Sequence, residues 1–173
     1  MLNKKGISGV IITLILIAIS LIIVTVVWRV VDNLVNENLD QAKSCFGVFD
    51  KVNFNNQYTC YKSSGEIWVS INVGDIDIDS ALVSITAGGQ GRSFTLTNEE
   101  QTIENVANYG STGFGTDLIN LPGKNSGLTY IYDWGSLLSE EPDSVQIVPI
   151  INGKQCDTAD TISSFGNCNL ISQ

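Results

Sequence analysis

Between Ile7 and Trp28 the chain reads ISGVIITLILIAISLIIVTVVW, without a single charge, and no other stretch limits its possible folds so severely. At a rise of about 1.5 Å per residue this run makes about 33 Å of helix, enough to cross a hydrocarbon core of about 30 Å. Its polar side chains are only Ser8, Thr13, Ser20 and Thr25. A cleaved secretory signal has a shorter apolar region, about 7 to 15 residues, with a small-x-small site behind it. Here the run passes straight into Val27, Trp28 and Arg29, which excludes a conventional cleaved signal. Lys4 and Lys5 precede the span, whereas Arg29 is followed closely by Asp32, Glu37 and Asp40. The positive-inside bias then puts the N-terminus in the cytoplasm and everything after Trp28 outside, with the Trp28 ring at the outer interface. A single-pass anchor is the simplest reading of the span alone.

The helical pattern does not stop at the membrane. Val27, Val31, Leu34, Val35, Leu39 and Ala42 recur at three- and four-residue intervals, with Asp32, Asn33, Asn36, Glu37 and Asp40 on the other face. No Pro or Gly interrupts residues 10 to 46, so one rod of about 40 residues and about 60 Å is expected, covering residues 7–46. A simple anchor needs no such extension. An apolar stripe above the bilayer has to be buried, against the chain's own head or against neighbouring copies.

The residues KKG followed by ISGVI resemble the processing site of type IV pilin-like proteins, and the closest resemblance is to archaeal type IV pilins and archaellins. The resemblance implies a leader of residues 1–6 ending in Gly6, with the basic Lys4 and Lys5 before it. It implies cleavage of the Gly6–Ile7 bond by a prepilin peptidase-like enzyme, so that Ile7 begins the mature chain. It also implies that Ile11, Leu14, Ile15, Ile22 and Trp28 lie on the helix that is held in the membrane before assembly and packs in a filament core afterwards. The partners implied are copies of the chain itself or related pilins. Bacterial pilins usually carry Glu as the fifth mature residue; that position is Ile11 here, which suits the archaeal branch and leaves apolar packing to drive assembly. The resemblance covers about the first quarter of the chain.

From Ser44 onward the basic residues are Lys51, Lys62, Arg92, Lys124 and Lys154 against 15 Asp and Glu, a net charge of −10. Such an acidic exterior argues against nucleic acid or an anionic membrane surface as partner. About 125 residues are enough for one domain with its own core. The four cysteines, Cys45, Cys60, Cys156 and Cys168, all follow the span, and an even count outside the cell reads as two disulfides. Of the three connectivities, Cys45–Cys60 and Cys156–Cys168 close the shortest loops and are favoured on that ground, each contributing about 3 kcal/mol. A zinc site is disfavoured, because no spacing is C-x-x-C and the chain has no His.

In EIWVSINV, Ile67, Val69, Ile71 and Val73 alternate with Glu66, Trp68, Ser70 and Asn72, the period of a half-buried strand. ALVSITA and RSFTLT flank the turn GGQG and read as a hairpin. LTYIYDW and SVQIVPII are further strands, with Pro149 placing the latter at an edge or bulge. NEEQTIENVAN has room for a turn or two of helix. The expected fold class is α+β, a long N-terminal helix followed by a compact antiparallel β-sandwich head over residues 47–173.

Catalytic signatures are lacking. Without His there is no Ser-His or Cys-His pair, no serine sits in a G-x-S-x-G elbow, and there is no P-loop or dinucleotide fingerprint. The chain is therefore expected not to be an enzyme and to need no cofactor. GDIDIDS places Asp75, Asp77 and Asp79 at alternate positions, like the opening of a calcium loop. Ser80 stands where the loop's Gly belongs and Thr86 where its bidentate Glu belongs, so an EF-hand is excluded. The three like charges then need a counter-ion, and a cation site of another kind is the weak metal candidate. No Asn-x-Ser/Thr sequon occurs.

The function expected is a structural subunit of an archaeal type IV pilus-like surface filament serving attachment. The alternatives are a membrane-anchored extracellular binding module that never polymerises, a tip-located adhesin, and a subunit of the motility filament.

Overall fold

The computed structural model describes residues 4–135, 140–164 and 166–168. Two compact units divide the chain, Met1–Ala42 and Lys43–Gln173. The first is nearly all helix: α1 runs from Lys4 to Cys45, 42 residues or about 63 Å. It starts before the expected Ile7 and ends just short of the expected Phe46. Lys4, Lys5, Gly6 and Ile7 are helical, and their side chains lie outside the described residues, as do residues 1–3. Gly47, at φ +87°, turns the backbone out of the helix in a conformation that a Cβ would oppose.

The second unit holds eleven described strands in two sheets. In the first sheet, β2 (Cys60–Lys62), β3 (Glu66–Val73), β7 (Ser126–Asp133) and β6 (Val106–Asn108) lie side by side and antiparallel, with β1 (Val52–Phe54) also on β3. The last strand, β11 (Gly166–Asn167), joins β2 in parallel, with Gly166 opposite Cys60. The second sheet has the order β10 (Asp160–Ile162), β8 (Ser144–Ile151), β4 (Ser80–Ala87), β5 (Gln90–Thr97), with β9 (Lys154–Gln155) on β8 and every pairing antiparallel.

Alternation decides which side chains go inside. Ile67, Val69, Ile71 and Val73 of β3 are buried, as are Ala81, Val83, Ile85 and Ala87 of β4. With Phe94, Leu96, Tyr130, Tyr132, Val145 and Ile147 they form one core to which both sheets contribute. Each fully buried Ile or Val contributes about 1.5 to 3 kcal/mol relative to exposure. The β4–β5 hairpin pairs Ala87 with Gln90 across Gly88 and Gly89. Those two residues have φ +54° and +77°, the positive pair of a type I′ turn, whose twist matches the flanking strands.

Three expectations are corrected. NEEQTIENVAN is not helical: Gln101 bridges Ile119, and the segment ends in β6. It lacks a continuous apolar face, and Val106 instead pairs with Tyr132 of β7. Pro149 is not in an edge strand, because β8 lies between β4 and the short strands β9 and β10. Its carbonyl faces that outer side and accepts from the Cys156 N–H at 2.9 Å, so its missing N–H falls at the gap between the two short strands.

The third correction concerns the disulfides, which join Cys45 to Cys156 and Cys60 to Cys168, not the short-loop pairs. Loop length governs the entropy of closing a crosslink, but register governs which sulfurs meet. Strand β11 lies beside β2 and brings Cys168 within 5.1 Å (Cα–Cα) of Cys60. Cys156 follows β9 and meets Cys45, the last residue of α1, with a Cα–Cα distance of 5.4 Å. Nearby, Asn152 Nδ2 donates to Ser44 Oγ at 3.4 Å.

Gly65 shows how tightly the β2–β3 turn is built. Its φ is +98°, and a Cβ there would lie 2.6 Å from the Gly135 Cα. The Gly65 carbonyl accepts from the N–H groups of Trp134 and Gly135 at 2.9 and 3.0 Å. Gly65→Ala should therefore cost about 2 to 4 kcal/mol, adding a backbone collision to the strain of positive φ. Gly89→Ala, with nothing within 4 Å of the new methyl, carries the conformational cost alone. Thermal unfolding should place the Gly65 variant several degrees below the Gly89 variant; equal midpoints would show that the turn relaxes freely.

Candidate functional site: an apolar helix surface and an acidic turn

Within α1, Gly9–Asn36 forms 28 residues long and apolar enough to cross a membrane, and none of the window is buried. Ile11, Leu14, Ile15, Ile22 and Trp28 are 51 to 68% exposed in the single chain. Even polar side chains of the span turn inward. Thr13, Ser20 and Thr25 donate their hydroxyl protons to the carbonyls of Val10, Ile17 and Ile22, three residues back, at 2.8 to 2.9 Å. That local bond satisfies each hydroxyl and leaves methyl and methylene groups outermost. From Gly9 to Trp28 the surface is therefore apolar all round, suited to a fully apolar environment and poorly suited to water.

The stripe continues beyond Arg29. Val31, Val35 and Leu39 are 46 to 49% exposed. Immediately after the helix, Phe46 and Phe49 are 90% and 75% exposed, two large apolar side chains that periodicity could not single out because they sit in an irregular turn.

Asp75, Asp77 and Asp79 lie in the connection from β3 to β4 rather than on a strand, all three exposed, with Ile78 buried between them. Their counter-charge is a side chain. Lys124 Nζ stands 3.1 Å from Asp75 Oδ1 and 3.7 Å from Asp77 Oδ2. Asp79 Oδ2 instead accepts from the Gly153 N–H at 3.1 Å. The triplet is thus divided between two partners, and no group of three or more acidic, Cys or His residues placed to hold a metal ion occurs among the described residues. Lys124, by hydrogen bond and charge, holds the Asp75 carboxyl below its ordinary range, and Asp75 in turn raises Lys124. A depressed carboxyl contributes above its unfolded pKa and loses that contribution as pH falls through the folded value, so this exposed pair acts from neutral pH down to the acid range.

A group that strand alternation marked only as outward-facing comes together on the first sheet. Trp68 of β3 meets Tyr109 edge to face, with ring centroids 5.0 Å apart. The Lys62 ammonium lies 4.2 Å from the Trp68 ring centroid. An outward Trp in a strand was the available signal, but Tyr109 is far away in sequence, and only the β6–β7–β3 order brings it near.

No family model, curated protein or solved structure matches the chain.

Proposed function

We propose that this chain is a subunit of an archaeal type IV pilus-like surface filament, held in the membrane by α1 before assembly and serving attachment. The observation that carries the reading is the length of exposed apolar helix. Gly9–Asn36 measures about 42 Å against a hydrocarbon core of about 30 Å, and half-exposed apolar side chains persist to Leu39. Lipid can cover the span to Trp28. It cannot cover a stripe that carries Arg29 and Asp32 on its other face, so Val31, Val35 and Leu39 call for a protein surface, which on this reading is the same stripe of neighbouring copies. Two disulfides suit a head outside the cell, and the two sheets with their shared core are read as a β-sandwich. The positive flank at Lys4 and Lys5 supports an N-terminus inside.

A peptidase that approaches the backbone beside the scissile bond tolerates no bulk there, and Gly6 has no Cβ. Gly6→Val should accumulate precursor in the membrane fraction and abolish filaments, with both disulfides still formed. Mass spectrometry of surface protein from the unmodified chain should find Ile7 at the N-terminus. An intact leader on sheared filaments, or normal processing of the variant, would sink the proposal. A non-polymerising, membrane-tethered binding module is the second reading, favoured by the aromatic cluster on the head. It predicts monomer in the membrane and no filaments by electron microscopy.

A further inference from the structure

We propose that the outward face of the first sheet binds a neutral pyranose sugar in the recess formed by Tyr58, Trp68, Tyr109 and Thr129. That recess has a volume of about 240 Å³. Pockets for drug-sized ligands run from about 300 Å³ upward, so this one suits a single ring.

The walls are held in place from behind. Trp68 Nε1 donates to Glu66 Oε2 at 3.3 Å, and the same oxygen accepts from Lys62 Nζ at 3.2 Å. The Tyr109 N–H donates to the Thr129 carbonyl at 3.1 Å, which fixes the tyrosine beside the recess. Thr59, next to Tyr58, is buried and bonded to β3: its hydroxyl oxygen accepts from the Ser70 N–H at 3.1 Å. The hydroxyls of Thr129 and Ser70 are hydrogen-bonded to each other at 3.0 Å, which fixes Thr129 Oγ1 in the wall of the recess. Tyr58 and Tyr109, which also line the recess, are 54% and 60% exposed.

This lining selects by chemistry. A pyranose presents C–H groups on its face and hydroxyls round its edge. The C–H face meets the negative faces of aromatic rings, and the edge meets phenol and threonine hydroxyls. An anion is repelled by a head of net charge −10. An organic cation placed against Trp68 would be repelled by the Lys62 ammonium, 4.2 Å from that ring's centroid, whereas a neutral sugar would not. An extended proline-rich segment needs a run of aromatic ridges rather than one compact recess. A neutral ring is the class left.

The test uses the full chain in a polyoxyethylene detergent, whose head group is neither a sugar nor a quaternary amine. Saturation-transfer NMR is run with the methyl pyranosides of glucose, galactose, mannose and N-acetylglucosamine, each at about 10 mM, against an expected Kd on the order of 1 mM. At least one should receive saturation, and Trp68→Ala and Tyr109→Ala should each weaken it tenfold or more. Lys124→Gln, on another connection, should leave it unchanged. Tyr109 is exposed enough to be removed without loss of the core, so its variant keeps the test decisive if Trp68→Ala unfolds. No transfer to any of the four sugars, transfer insensitive to Tyr109→Ala, or displacement by tetramethylammonium or an oligoproline peptide would each overturn the proposal.

Discussion

Removing both disulfides should lower the stability of the head by about 8 kcal/mol, while removing either alone should cost only about 3.5 kcal/mol. The difference follows from how the crosslinks interlace. Cys45–Cys156 spans 111 residues and Cys60–Cys168 spans 108, so either one alone closes a loop worth about 4.7 kcal/mol of unfolded-chain entropy. Once the first is closed, Cys60 and Cys168 are already joined by a shorter path through it, back from Cys60 to Cys45 and on from Cys156 to Cys168. A loop of about 27 residues is worth about 3.5 kcal/mol on the same relation. The second bond therefore adds less than the first, whichever comes first. The total is comparable to the whole stability of a typical domain, about 5 to 15 kcal/mol.

Denaturant unfolding of the Cys45→Ser/Cys156→Ser pair, the Cys60→Ser/Cys168→Ser pair and the quadruple variant measures the three quantities. The short-loop pairing would give two independent contributions of about 3 kcal/mol that simply add. Additive losses, or non-reducing peptide maps linking Cys45 to Cys60, would contradict the connectivity. The far-ultraviolet helix signal should survive in every variant, because α1 draws its hydrogen bonds from within itself.

If α1 packs in a filament core as proposed, Ile15→Lys should reduce surface filaments by about 100-fold or more. Ile15 lies inside the exposed apolar surface of α1. On insertion scales, exchanging an apolar side chain for Lys near the centre of a span costs about 3 to 4 kcal/mol, and about 1.4 kcal/mol is a factor of ten in an equilibrium. In an assembly every subunit would carry the charge at the same height, so no copy could be buried without its neighbours' charges. The head should be unaffected: both disulfides should form, and the unfolding midpoint should match the unmodified chain. Thr13→Val is the informative partner variant. Its hydroxyl is already satisfied by the Val10 carbonyl, so its removal should leave filament yield unchanged. Counts of sheared filaments by electron microscopy, with membrane and surface fractions measured separately, decide the matter. Normal filament numbers from the Ile15 variant would mean that this face of the helix is not in the filament core.

Whatever depends on near neighbours could be read from the order of the amino acids. An uncharged run without Pro or Gly makes a helix in which each backbone bond is closed four residues away, so α1 was legible almost to its ends. Strands β3, β4 and β8 were legible because alternation with a period of two decides locally which side chains are buried. The hairpin at GGQG was legible from its glycines, but the turn itself is only Gly88–Gly89, and Gln90 and Gly91 already belong to β5. Every pairing across long sequence separation waited for the fold. Cys168 meets Cys60 because the short strand β11 adds to β2; Lys124 reaches Asp75 although most of the head's strands lie elsewhere in the chain; Tyr109 meets Trp68 because β7 lies between β6 and β3. Loop entropy favoured the short crosslinks, but it is a few kcal/mol and varies only with the logarithm of loop length. Burial of one core by two sheets is many times larger, and it fixes the register first; the sulfurs join wherever that register leaves them.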